Sequence, residues 1–514
     1  MSGASLPGPS EAVPQGVHRS QTGESFIFAN GNSAHWRERN LLSLDGGGIR
    51  GYWSLLVLER LMAAIAREER EHTAAGQRSD SFWPATRPRN VVHTWRSSSE
   101  TEDEEVESQT PIFLPCHYFD IICGSSTGRF RMTVQDCLYE YERMSNHIFG
   151  KPRWVSQRNI GIVRWPKYSS KAMERAFTDV TRRRGETPVR GQLTHTPPYF
   201  PTIPGTCAMY VLLPILSHLQ LFVTTNRRIK SASAARPGVQ RLYLIRSYDH
   251  KTKPGTPNTE INNFGKAEQM EIWQVARAAT AAPMYFREIK FTPPHSRDRY
   301  YFSDGGFGHT NNPTEVGIQE IQLRFGAESV GAVVSIGTAR ADDDNSGGRS
   351  IFKRVHNAFS IATNPRIVAN QVRRRNLPHY WRLNDEEGLR MELDDWQPNG
   401  LTTSKENRGR KTLQEIRARF NEWALVYEND ESIRACAREL VRRRRARIQD
   451  GARWEVYATG ASNFRCRHEH CPETPFPTRD HFREHWHQCH EDNHEDADRC
   501  REPEFTIWRY RNDT

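Results

Sequence analysis

Residues 41–51 read Leu41-Leu42-Ser43-Leu44-Asp45-Gly46-Gly47-Gly48-Ile49-Arg50-Gly51. The run opens with a short apolar stretch, which is typical of a buried strand, and breaks at once into glycine. A helix is predicted next, because apolar residues recur at i, i+3, i+4 and i+7: Leu58, Leu61, Met62 and Ile65. A strand, a glycine turn and a helix start aim free backbone amides at a negative group. That group is either a bound phosphate or the oxyanion of a carbonyl under attack.

The glycine spacing alone does not choose between these two chemistries. Gly46, Gly48 and Gly51 fit the dinucleotide-binding fingerprint, but no acidic residue ends a second strand about 20 residues further on. No Lys-Ser or Lys-Thr pair follows the glycines, which excludes a P-loop. Gly47 is expected to adopt a left-handed conformation, which glycine tolerates better than other residues.

Two further blocks pair a nucleophile with a carboxylate. An apolar run from Phe119 leads into Gly124-Ser125-Ser126-Thr127-Gly128, and the pattern Gly-x-Ser-x-Gly is a nucleophile elbow that exposes the central serine. The third block is Tyr301-Phe302-Ser303-Asp304-Gly305-Gly306-Phe307-Gly308, followed by Asn311-Asn312-Pro313. Asp304 ends a β-rich run just before glycines, where its carboxylate would be able to face Ser126.

The three blocks, in this order, resemble the patatin-like phospholipase family. The resemblance spans about residues 41–337 and includes the stretches 273–286 and 333–338. It implies a three-layer α/β/α domain that hydrolyses acyl esters of lipids without a cofactor. Ser126 would be the nucleophile and Asp304 its base. The oxyanion would be held by the glycine-rich loop (Gly46, Gly47, Gly48, Arg50 and Gly51), with Arg50 more a brace than a charge.

Two alternatives stay open. An α/β-hydrolase triad would need a histidine, but His309 follows Asp304 too closely, and His356 and His379 have no motif around them. The dyad is therefore favoured. The second alternative is a catalytically impaired member of the family that serves as an interaction or nucleic-acid-binding module.

That alternative rests on a departure after Gly128, where Arg129-Phe130-Arg131-Met132 replaces the family's glycine and short apolar helix. In addition, the apolar stretch 208–222 matches no family segment. A skipped coding segment and a translated intron would explain both departures. A helix is predicted to resume after Thr133, with Val134, Cys137, Leu138 and Tyr141 on its apolar face.

Composition sets the wider organisation of the 514-residue chain. The expected segments are a disordered tail (1–36), a patatin-like domain (37–345, motif core 41–318), a C-terminal extension (346–455), a zinc finger (460–492) and a polar tail (493–514). The net charge of +10 suits contact with anionic lipid or nucleic acid. Neither a signal peptide nor a membrane-spanning segment is evident, so the expectation is a cytoplasmic enzyme acting on membranes from the water side.

The C-terminal cysteines and histidines have metal-ligand spacing. Cys466-x4-Cys471-x13-His485-x4-His490 resembles a C2H2 zinc finger with slightly wide spacings, and His487 and Cys489 are alternative ligands. Structural Zn²⁺ is therefore expected. The signs of charge alternate along the finger's helix, so a protein partner is favoured and nucleic acid is the less favoured partner.

A run of four arginines, Arg442 to Arg445, lies in a helix predicted over residues 431–447. Such a run is usually a solvated helix face. Nuclear import or phosphate contact is the sharper interpretation.

Overall fold

The computed structural model describes residues 34–74, 113–124, 134–150, 166–185, 199–200, 220–230, 239–250, 263–265, 267, 270–283, 285–293, 297–306, 310–340, 364–396 and 409–459. Within them the strands are β1 (Arg39–Leu44), β2 (Ile121–Gly124), β3 (Tyr199–Phe200), β4 (Gln220–Lys230), β5 (Arg241–Arg246), β6 (Met270–Glu271), β7 (Ile289–Phe291), β8 (Arg299–Asp304), β9 (Val330–Ile336) and β10 (Tyr380–Leu383). The helices are α1 (Ala34–Arg37), α2 (Gly51–Ala74), α3 (Val134–Phe149), α4 (Ser170–Gly185), α5 (Ile272–Ala279), α6 (Thr314–Phe325), α7 (Pro365–Arg373), α8 (Arg410–Leu425), α9 (Tyr427–Ile448) and α10 (Gly451–Thr459).

One mixed sheet organises the described residues. Its parallel part runs in the order β10-β9-β1-β2-β4, and β5 and β8 both pair antiparallel with β4, with β7 beside β8. Strands β3 and β6 form a separate two-residue pair. The predicted α/β class is confirmed, since helices flank this sheet. β10 comes from the span predicted as the C-terminal extension; the boundary at 345/346 stays a prediction.

Burial on both sides of the sheet explains the apolar run that opens β1. Leu42 packs with α2 and α9, whereas its neighbour Leu41 packs with α6 and α7 on the opposite face. Parallel strands covered on both faces need such continuous apolar runs, because successive side chains point to opposite sides. The predicted apolar stripe of α2 is also confirmed, since Leu58, Leu61, Met62 and Ile65 are buried.

The prediction of a solvated arginine face is correct for Arg442, which is exposed, and wrong for the other three arginines of the run. Arg443, Arg444 and Arg445 are buried rather than solvated. Arg444 and Arg445 both bind the fully buried Glu69 of α2, with N–O distances of 2.8 and 2.7 Å. Buried charges need ionic partners, and here the partner lies 375 residues away in sequence. The run therefore fixes α9 to α2 instead of presenting a basic surface.

The apolar stretch that matched no family segment is partly explained. Its last three residues, Gln220 to Phe222, start β4 and pair with β2, and Phe222 also pairs with β5. These residues belong to the centre of the sheet. Residues 208–219 and the segment after Gly128, up to Thr133, lie outside the described part of the chain. Helix α3 does begin at Val134, and it buries Val134, Leu138 and Tyr141 as predicted.

Candidate active site

Strand β4 brings the ends of β2 and β8 together. Val223 pairs with Gly124 on one side and with Ile245 of β5 on the other, and Thr225 pairs with both Asp304 and Tyr243 of β5. A strand has only two edges, and β5 occupies one of them at both positions. The carboxyl ends of β2 and β8 therefore meet on the same edge of β4. The position on β4 that pairs with Asp304 lies two residues beyond the position that pairs with Gly124, a rise of about 7 Å along the strand.

Asp304 is held at this junction by its backbone. Its amide donates to the Ala281 carbonyl at 3.1 Å, and its carbonyl accepts from the Asn226 side chain at 2.9 Å. The next residue, Gly305, lies so close to Thr224 that an added Cβ would be 2.5 Å from that residue's carbonyl oxygen. A glycine is therefore required directly after Asp304, and the backbone cannot shift toward β4.

Asp304 is half-buried, and no cation among the described residues lies beside its carboxylate. Burial raises the pKa of Asp304 to about 7, and a hydrogen bond from the Gly306 amide to Oδ1, 2.8 Å long, opposes this rise. An ordinary aspartate is a weak base at neutral pH. A carboxylate that titrates near neutrality is a far better proton acceptor.

The glycine-rich loop offers two amides. The Gly46 amide donates to the Asn311 carbonyl at 2.9 Å and is already satisfied. Among the described residues, no acceptor binds the amides of Gly47 or Gly48. The left-handed conformation expected at Gly47 occurs instead at Gly48, with φ +56°. Gly47 is needed for a different reason, since an added Cβ would lie 2.5 Å from the side chain of Thr338.

Contacts from distant segments brace this loop. The Leu393 carbonyl accepts from the Ile49 amide at 2.9 Å, and the buried Arg50 donates to the Met391 carbonyl at 3.2 Å. The hydroxyl of Tyr141 donates to the Gly48 carbonyl. Arg50 thus has the bracing contact expected of it. Gly51 starts α2, where a Cβ would be 2.5 Å from the Tyr141 hydroxyl.

A buried polar network below the loop was not predicted. Arg382 of β10 binds both carboxylate oxygens of Asp45, at 3.0 and 2.6 Å, and donates to Ser335 of β9 at 2.9 Å. The hydroxyl of Thr314, at the start of α6, hydrogen-bonds to Ser43 and Ser335 at 2.9 and 2.8 Å. The network joins the carboxyl ends of β1, β9 and β10 to the start of α6. The sequence indicated this network only through Asn311-Asn312-Pro313, which directly precedes Thr314 and the start of α6.

A second unpredicted group ties the bracing turn to the loop before β7. Lys167 and the Tyr168 hydroxyl both bind the buried carboxylate of Asp394, at 2.5 and 2.7 Å. The Tyr168 amide donates to the Tyr285 carbonyl at 3.0 Å. Residues 391–396 are therefore anchored on one side by the glycine-rich loop and on the other by residues 167–168.

Of the three histidines considered for a triad, the structure describes His379, and this residue lies at the end of the sheet opposite the candidate site. It directly precedes β10, whose amino end lies opposite the carboxyl ends that carry Gly124 and the glycine-rich loop. Its Nδ1 lies 3.5 Å from a carboxylate oxygen of Glu439, and its ring stacks on Trp381. A structural role explains this residue.

The remaining predicted residues divide into two sets. Gly124 ends β2, and Gly305 and Gly306 form the turn after β8. The following lie outside the described residues: Ser126, Gly128, Cys466, Cys471, His485, His490, His487, Cys489, His309 and His356. Within the described part of the chain, no group of three metal-ligating side chains occurs, and no helix is long and apolar enough to cross a bilayer.

Residues 138–318 match the family model described as patatin-like phospholipase. The match contains Asp304 and begins after the elbow. Over these residues the chain is similar to the patatin-like phospholipase family.

Sequence similarity extends to named phospholipases. The chain is 23% identical to calcium-independent phospholipase A2-gamma of Oryctolagus cuniculus over 274 residues, which is 49% of this chain and 28% of the relative. For the Homo sapiens protein of that name, identity is 24% over 241 residues, 45% of this chain and 25% of the relative. Phospholipase A I of Arabidopsis thaliana is 23% identical over 257 residues, 44% of this chain and 18% of the relative. The similarity thus covers less than a third of each of these longer proteins.

Proposed function

We propose that this chain hydrolyses acyl esters of lipids through a dyad of Ser126 and Asp304. The observation that carries the proposal is the shared edge of β4. Because β2 and β8 end on it two residues apart, the elbow that starts at Gly124 begins beside the Asp304 carboxylate. The similarity to the patatin-like family and the phospholipase names of the relatives support a lipid ester as substrate.

In this mechanism, ionised Asp304 accepts the proton of Ser126 while the serine oxygen attacks the ester carbonyl. The amides of Gly47 and Gly48 would donate to the oxyanion, each contributing on the order of 3 kcal/mol of transition-state stabilisation. The alcohol departs as it takes the proton from Asp304, and an acyl-enzyme remains. Water then attacks the acyl-enzyme while Asp304 takes its proton. The bond between the acyl carbon and the serine oxygen breaks, the fatty acid leaves, and Asp304 returns the proton to Ser126. The activity should rise with pH through about 7, since the base must be ionised.

A fluorophosphonate probe tests the nucleophile. The purified full-length chain should be labelled and should hydrolyse a lipid ester, and Ser126→Ala should abolish both. Ser125→Ala is the matched control, because it removes the adjacent hydroxyl and should keep both. If a folded wild-type chain neither labels nor turns over lipid esters, the enzyme proposal is wrong. The departure after Gly128 would then favour the interaction module.

We also infer that Cys466, Cys471, His485 and His490 hold a structural zinc ion. The support is their spacing alone, which suits a tetrahedral site of two thiolates and two imidazoles. A peptide of residues 464–490 should be unfolded in chelator and should fold with one equivalent of zinc, as followed by circular dichroism. Cys471→Ser should abolish this folding. Nanomolar, sequence-selective DNA binding would contradict the expected role in protein contact.

A further inference from the structure

An antiparallel arm projects from the sheet beyond the candidate site. It is formed by residues 226–230 of β4, 239–242, 287–293 and 297–303. Residues 225–230 of β4 continue past the level at which β2 ends, and they pair there with β8. From Thr225, opposite Asp304, to Lys230 the strand rises about 17 Å. The arm therefore extends from the edge of the sheet at which β2 ends and the glycine-rich loop lies.

The arm is strongly basic. It holds eight arginines and lysines (Arg227, Arg228, Lys230, Arg241, Arg287, Lys290, Arg297 and Arg299) and two carboxylates (Glu288 and Asp298). Its net charge of +6 compares with +10 for the whole chain. The excess charge is thus concentrated beside the candidate site instead of being spread over the surface.

Register places four of these basic side chains, together with Tyr301, on one face. Arg228 and Lys290 both pair with Tyr301, and Lys230 pairs with Arg299 two residues further along. Paired residues share a face, and so do residues two apart in a strand. The opposite face packs inward, because Phe302 and Ile289 are buried in the cluster around α5. The basic face is consequently the outer face of the arm.

Three of the four cations of this face are available to a partner. Lys230, Lys290 and Arg299 are exposed, and no carboxylate among the described residues pairs with them. Arg228 binds Glu288 at 2.7 Å. Tyr301 lies between two cations, with Arg228 at 4.4 Å and Lys290 at 5.8 Å from its ring centre. Val239, nearby on the arm, is 75% exposed.

We propose that the outer face of the arm docks on the surface of an anionic phospholipid bilayer. Clustered lysines and arginines bind anionic headgroups, and tyrosine is favoured at the boundary between headgroups and acyl chains. Such a partner fits the arm's place beside the site, because a lipid substrate would enter from the bilayer. This docking rests on the proposed lipid hydrolase function. The positive charge would also attract a nucleic acid. The position of the arm beside a site for lipid esters favours the bilayer instead.

Sedimentation with vesicles tests the docking directly. The full-length chain should bind vesicles of 30% phosphatidylserine in phosphatidylcholine at least tenfold more tightly than vesicles of pure phosphatidylcholine. Raising the salt concentration should weaken the binding. The variant Lys230→Glu/Lys290→Glu/Arg299→Glu should lose at least tenfold in affinity for the anionic vesicles. The corresponding triple glutamine variant should bind the anionic vesicles with an affinity between those of the wild type and the glutamate variant. It keeps the test valid if charge reversal perturbs folding.

The matched control changes the net charge by the same amount elsewhere. Arg67, Arg70 and Arg374 are exposed. The last two lie toward the amino ends of the parallel strands, away from the site. Their triple glutamate variant should bind anionic vesicles as tightly as the wild type. Equal losses in the control and the arm variants would overturn the proposal, because net charge alone would then explain binding.

Two more measurements separate this inference from the proposed function. Hydrolysis of a monomeric short-chain ester should be the same in the arm variants and the wild type, since these residues are outside the dyad and the loop. If the wild type hydrolyses no ester, the hydrolase proposal is wrong. Vesicle binding still tests the docking proposal in that case. Tight binding of an RNA or DNA duplex that the arm variants lose, with vesicle binding unchanged, would refute the bilayer as partner.

Discussion

Replacing Asp304 by asparagine should stabilise the protein at alkaline pH while abolishing turnover. The wild-type carboxyl has its pKa raised from 3.8 to about 7 by burial, so the folded state holds the proton more tightly than the unfolded state. Its contribution to stability is therefore fully present below pH 3.8 and is lost as the pH rises through 7. Asparagine does not titrate and does not suffer this loss.

The shift sets the size of the effect. About three pKa units at about 1.4 kcal/mol each give a loss of about 4 kcal/mol in the wild type by pH 8. About 1.5 kcal/mol of this has developed by pH 5, so about 2.5 kcal/mol appears between pH 5 and pH 8. At roughly 2 °C per kcal/mol, the melting temperature of Asp304→Asn relative to wild type should increase by about 5 °C between these two pH values.

Thermal unfolding of both proteins at pH 5 and pH 8 measures this difference. Comparing the two proteins at each pH cancels the titration of all other groups. Glu328→Gln removes an exposed carboxylate and is the control; its difference from wild type should be equal at both pH values. If Asp304→Asn also shows the same difference at both, Asp304 is not desolvated. It would then be too weak a base for the dyad.

Three further outcomes test the site and its frame. Ser126→Ala and Asp304→Asn should each remove nearly all lipid-ester turnover, and the double variant should be little worse, because the two act as one unit; multiplicative losses would contradict a shared proton transfer. Gly48→Ala should lower kcat at least tenfold, since it forces an alanine to φ +56° and toward the Leu393 carbonyl; unchanged kinetics would place the oxyanion elsewhere. Glu69→Gln should cost about 3–5 kcal/mol in urea unfolding, because two buried arginines lose their carboxylate. Glu71→Gln, exposed on the same helix, should change little, and an equal cost in both would refute the buried ion cluster.

The sequence by itself determined the elements around the site. Leu41 and Leu42 are apolar neighbours just before a glycine turn, which is typical of a strand covered on both faces, so β1 was predictable. The glycines after it and the periodic leucines of α2 predicted the turn and the helix. Asp304 followed by two glycines marked the end of a strand. Each of these features is local, because the signal lies within one turn of helix or a few residues of strand.

Only the tertiary structure decided which groups meet. That β2 and β8 share one edge of β4 depends on pairings between residues about 70 to 100 positions apart, and no local pattern encodes them. Gly46 and Gly47 look alike in sequence, yet the distant Asn311 carbonyl occupies one amide and leaves the other open. The arginine run looked solvated because Glu69, its partner in the folded chain, lies in another helix. Burial, hydrogen-bond occupancy and ion pairing depend on neighbours in space, and these are set only when the sheet and its helices have assembled.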